Sequence, residues 1–89
     1  MTQQETVICN RLGLHARAAA RFVAIASEYR SEIHVSSGDR RVNGKSIMGL
    51  MMLAAGVGTR LTIEADGADE QEALTALCQL VEEGFGEAH

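Results

Sequence analysis

The 89 residues, 46% of them apolar, suit one small domain (1–89) with a single core and leave no room for separate nucleotide and substrate lobes. A formal net charge of −4, with one tyrosine and two phenylalanines available for stacking, argues against nucleic acid as a partner. No stretch approaches the length of a membrane span, and the start Met1-Thr2-Gln3-Gln4-Glu5-Thr6 lacks the basic and apolar runs of a signal peptide, so a cytoplasmic chain without membrane insertion is expected.

In chain order, the β-branched run Thr6-Val7-Ile8-Cys9 predicts a first strand. It leads into Leu12-Gly13-Leu14-His15-Ala16-Arg17, where the glycine lets the backbone turn into an alanine-rich helix expected over residues 16–27. Ala19, Phe22, Val23 and Ala26 recur there at helical spacing as a buried stripe, and Arg17, Arg21 and Glu28 fall outside it. Residues 32–36 alternate with period two, and Ser37-Gly38-Asp39 turns the chain toward Arg40-Arg41-Val42, which together predict a hairpin. Ser46 stands as the N-cap of a short helix, Ile47-Met48-Gly49-Leu50-Met51-Met52-Leu53, that is apolar nearly all round. Leu50 and Leu53 suffice for its buried face. The surplus of Ile47, Met48 and Met51 fits either core filling or a docking patch.

Gly56, Gly58 and Thr59 break the chain before an alternating strand at residues 60–65, with Leu61 and Ile63 facing inward. Asp69 and Glu72 then resemble a capping box, and Leu74, Leu77, Cys78, Val81 and Phe85 return at helical intervals. The sum is an α+β fold, β-α-β-β-α-β-α. Three helices are expected on one face of a four-stranded antiparallel sheet, a two-layer open-faced β-sandwich.

Charge is unevenly distributed. Residues 1–45 carry Arg11, Arg17, Arg21, Arg30, Arg40, Arg41 and Lys45 against four acids, a balance of +3, while residues 46–89 set Arg60 against eight acids, a balance of −7. This is either chance or a positive rim suited to an acidic partner protein. Cys9 and Cys78 match no C-x-x-C or zinc-ligand spacing and are expected as buried free thiols. His34, placed on a strand face, and His89 lack a second ligand nearby, so no metal and no cofactor is expected. Gly38 to Ser46 misses the P-loop pattern because five residues, not four, separate Gly38 from Gly44. No catalytic dyad or triad emerges to mark a free-standing enzyme.

His15 is the residue with chemistry. It precedes Ala16 at the positive end of the first helix, where unpaired amides of Ala16 and Arg17 and the Arg17 guanidinium suit phosphoryl oxygens. On the motif alone, a surface histidine without a role is the competing reading. The run Gly13-Leu14-His15-Ala16-Arg17, with Gly44-Lys45-Ser46-Ile47, Gly56, Gly58-Thr59 and Asp69-Glu70-Gln71-Glu72-Ala73, resembles the histidine-containing phosphocarriers (HPr and NPr) of bacterial phosphotransferase systems.

The resemblance implies a sheet order of 1-4-2-3. It also implies a phosphoryl relay in which His15 receives the group on Nδ1 from an Enzyme I-like donor charged by phosphoenolpyruvate and yields it to an EIIA-type acceptor. Further implications are a partner surface of Leu14, Lys45, Ile47, Met48 and Met51, regulation at Ser46 by a serine kinase, and a monomeric state. Ala18 stands where many members have proline, which leaves the choice between sugar transport and nitrogen regulation open, while Leu12-Gly13-Leu14-His15-Ala16-Arg17 and the ending Glu83-Gly84-Phe85-Gly86-Glu87 look more like the nitrogen-related NPr branch than like the sugar-transport HPr of enteric bacteria. The alternative reading is a regulatory module of that branch, binding targets through its apolar helix without phosphate.

Overall fold

The computed structural model describes residues 1–87. Its elements are β1 (Thr2–Val7), α1 (Ala16–Ala26), β2 (Glu32–Ser37), β3 (Arg40–Asn43), α2 (Ile47–Met52), β4 (Arg60–Asp66) and α3 (Glu70–Glu82), followed by a 3-10 turn at Gly84–Gly86. All strand pairs are antiparallel, in the order β1-β4-β2-β3. The expected α+β sandwich and its sheet order are thus what the chain adopts.

Alternation along the strands decides which face is covered. Ile33, Val35, Leu61, Ile63 and Ala65 are buried on the helical side, against Phe22, Leu74, Leu77 and Val81. The intervening residues face away from the helices; there Arg41 pairs with Glu64 at 3.3 Å, and His34 lies opposite Glu64 in register. That guanidinium holds the Glu64 carboxyl below the usual range.

Four expectations need correction. The first strand begins at Thr2, because β4 supplies a partner for every residue from Thr2 to Val7 although Gln3, Gln4 and Glu5 carry no apolar signal. Phe85 is buried but lies beyond α3, in the 3-10 turn with φ +57°, so a left-handed residue and not a continued helical stripe brings it to the core. Asp69 precedes α3 but makes no side-chain cap. Its carboxylate instead accepts from the Arg30 and Ser31 amides at 2.9 and 3.0 Å and from the Ser31 hydroxyl, tying the α1–β2 loop to the start of α3. Lastly, Cys78 is buried but Cys9 is exposed; both are free thiols. His89 lies outside the described residues, among which no cluster of metal-ligating side chains occurs.

Candidate functional site

The loop between β1 and α1 is shaped by its own backbone. Gly13 has φ +67°, its N–H donates to the Asn10 carbonyl at 3.1 Å, and the Leu14 N–H donates to the Ala55 carbonyl at 2.8 Å. These bonds seat the loop on the segment after α2 and deliver His15 to the N-cap of α1, with φ −79° and ψ 178°. The first α1 hydrogen bond runs from the Ala19 amide to the His15 carbonyl at 2.8 Å, so Ala16, Arg17 and Ala18 have no intrahelical acceptor for their N–H groups. A proline at position 18 would remove one of these donors. Together they act as roughly half a positive charge.

The His15 side chain is 28% exposed and makes no cap hydrogen bond, so its imidazole is not used up in holding the helix end. Its Nε2 meets the Glu87 carboxylate, itself 14% exposed. The other oxygen of Glu87 accepts from Asn10 Nδ2 at 2.8 Å. The Asn10 amide, ahead of the Glu87–His15 contact, holds the Glu87 carboxyl below its ordinary value. Neither Asn10 nor Glu87 was singled out as a site residue from sequence. No sequence signal pairs them, because 77 residues separate the two.

Arg17 is exposed beside His15, and no ion pair or hydrogen bond engages it among the described residues. Arg21, one turn further along α1, donates to the Phe85 carbonyl. The short helix α2 packs beside α1 and leaves Ile47, Met48 (73% exposed), Met51 and Met52 on the surface; Leu12 and Val57 are exposed as well. Core filling therefore falls to Leu50 and Leu53. Arg40 donates to the Met52 carbonyl at 2.8 Å and sets a cation at the edge of this apolar patch.

Of the residues expected at a partner surface, Leu14 is buried and the Lys45 ammonium is engaged by a neighbouring loop. Leu14 keeps 6% of its surface because the Gly13 turn points its side chain into the core. Lys45 Nζ donates at 2.8 Å to the Tyr29 carbonyl, beyond the carboxyl end of α1, about 16 Å along an 11-residue helix from His15. Ser46 caps α2 as expected, its hydroxyl accepting from the Gly49 N–H at 3.0 Å.

The family described as "PTS HPr component phosphorylation site" matches residues 2–83. A phosphocarrier protein HPr of Neisseria meningitidis is 56% identical over 87 residues, covering 98% of both chains. A phosphocarrier protein NPr of Shewanella violacea is 42% identical, covering 97% of this chain and 94% of that one. The lean toward the nitrogen branch thus finds weak support. Among solved structures, HPr-C-His from Thermoanaerobacter tengcongensis superposes with a TM-score of 0.95 at 45% identity, with complete coverage of both chains. An HPr dimer from the same organism gives 0.78 at 46% identity, covering 98% of this chain and 100% of that one. With a partly exposed imidazole at the N-cap of its first helix and these relatives along nearly its whole length, the chain belongs to the HPr family of phosphocarrier proteins of the phosphotransferase system.

Proposed function

We propose that His15 is the phosphorylated residue, taking a phosphoryl group from an Enzyme I-like donor driven by phosphoenolpyruvate and passing it to an EIIA-type acceptor. The observation that carries this is the partly open imidazole at the N-cap of α1, free of any capping bond. The Ala16 and Arg17 amides and the Arg17 guanidinium cradle the phosphoryl oxygens. A dipole contribution of about 0.3–1 kcal/mol biases the phosphorylated state without trapping the group, as a carrier requires.

Both partners dock over the apolar face of α2, through Ile47, Met48 and Met51, with Arg17, Arg21 and Arg40 as a basic rim for acidic surfaces. The reading places the protein in the cytoplasm, where phosphoenolpyruvate is made, acting as a monomer. Ser46 is read as a regulatory position for a serine kinase: a phosphate there adds negative charge at the edge of the docking face and repels an acidic partner. A phosphate-independent docking module would use the same face, and no observation favours it over the relay.

The test is labelling with radioactive phosphoenolpyruvate and purified donor. His15→Ala abolishes the acid-labile label and leaves the circular dichroism spectrum unchanged, whereas Arg17→Ala slows labelling about tenfold, in line with losing one charged contact. Label persisting in His15→Ala removes His15 from the role.

A further inference from the structure

Glu87 is held in place from three sides. Phe85, two residues earlier, is buried in the core in a left-handed conformation, and the Arg21 guanidinium grips its carbonyl. Asn10 is fully buried, and its Nδ2 divides its two hydrogens between the Gly13 carbonyl and Glu87 Oε1, both at 2.8 Å. The same asparagine thus binds the turn that presents His15 and the carboxylate that meets it. Glu87 Oε2 is left aimed at His15 Nε2.

We propose that Glu87 is a positioning residue for phosphoryl transfer: its carboxylate accepts the Nε2 proton of His15 and so fixes the tautomer whose Nδ1 lone pair is free to attack phosphorus. The proposal rests on His15 being the phosphorylated residue. An ionised carboxylate only accepts, so the shared hydrogen belongs to the imidazole. The hydrogen bond made by one ring nitrogen determines which tautomer the other presents. The lowered pKa of Glu87 is consistent with a carboxylate that is ionised at neutral pH.

In the transfer step the Nδ1 lone pair forms the new N–P bond as the bond from phosphorus to the donor breaks, its electron pair leaving with the donor group. The Nε2 proton stays where it is. Positive charge develops on the ring during the attack, and the carboxylate beside Nε2 offsets it, much as a third group orients a nucleophile's base in hydrolytic sites. Onward transfer reverses these changes, and Glu87 never binds the phosphoryl group itself.

The experiment combines two-bond ¹H–¹⁵N spectra of the His15 ring, in the unphosphorylated protein at about pH 8, with donor-dependent transfer kinetics for wild type, Glu87→Ala and Glu87→Gln. Wild type is expected to hold the Nε2-protonated form, with a hydrogen-bonded Hε2 resonance that survives solvent exchange. Glu87→Ala loses that resonance, and its transfer rate at saturating donor falls about tenfold with KM changed less than about twofold. Glu87→Gln keeps an acceptor oxygen without the charge. It retains the fold, by circular dichroism, even if Glu87→Ala loosens the terminal turn, and it shows a smaller loss of about threefold. An Nδ1-protonated ring in wild type overturns the proposal, as does an Hε2 resonance that Glu87→Ala leaves unchanged or a transfer rate that either substitution leaves unchanged. Faster transfer in Glu87→Ala also overturns it, because the carboxylate would then be a cover that donors displace. If wild type carries no label on His15, the relay site itself has been misassigned, and the ring spectra still decide whether Glu87 sets the tautomer.

Discussion

A β-carbon on Gly13 would meet the Ala55 carbonyl oxygen at 2.5 Å and the Gly56 Cα at 2.8 Å, and φ +67° is strained for any other residue. Gly13→Ala should therefore cost at least about 1–2 kcal/mol from the backbone alone, and it should also shift the loop that seats His15. Urea unfolding reads the first effect as a lower midpoint, and slower labelling of His15 reads the second; an unchanged midpoint would mean that the turn relaxes freely. Gly13, His15 and Arg17 were legible in sequence because a turn, an N-cap and a first helical turn are neighbours along the chain. The Asn10–Glu87 bond was not, since 77 residues separate its partners and neither belongs to a periodic pattern. The burial of Leu14 was hidden for a related reason: adjacency to His15 says nothing about which way the turn points a side chain.

Helix α2 has six residues and one fully buried side chain, Leu50, so its stability leans on its cap. Ser46→Ala is expected to lower stability by about 1 kcal/mol, visible in thermal unfolding. Ser46→Asp retains an N-cap acceptor and should preserve stability, yet slow donor labelling through added negative charge, an effect that fades at high salt. Equal labelling rates for the two variants would remove Ser46 from regulation. The apolar surplus of α2 was legible because too many large side chains stood on too short a helix. The start of α3 was not, because Asp69 had two possible sets of amides to bind and tertiary structure chose those of Arg30 and Ser31. β1 was half-hidden, since a polar edge strand owes its existence to its neighbour and not to its own residues.

Across the whole molecule, Glu64, Asp69, Glu70 and Glu87 all have carboxyls below their ordinary values, held by Arg41, Ser31, the Gly67 amide and Asn10 respectively. A carboxyl depressed in the folded state contributes stability that is complete above its unfolded value, near pH 4, and is lost as pH falls through the lower folded value. The melting temperature should therefore be flat between about pH 5 and about pH 7 and drop below about pH 4. Asp69→Asn should reduce that drop, and calorimetry from pH 2 to about pH 7 showing the same acid slope in both proteins would refute the assignment. The sheet itself was legible from alternating apolar residues, but periodicity could not order its strands; that came from family likeness.

The strand order has a consequence for how the chain comes into being. β4 lies between β1 and β2 and pairs with both, yet it is the last strand to be made. A nascent polypeptide leaving the ribosome has β1, β2 and β3 before the strand that joins them, and only the β2–β3 hairpin can close early. Until β4 emerges, β1 has no strand to lie against, so the four-stranded sheet can close only after its last-made strand has left the ribosome.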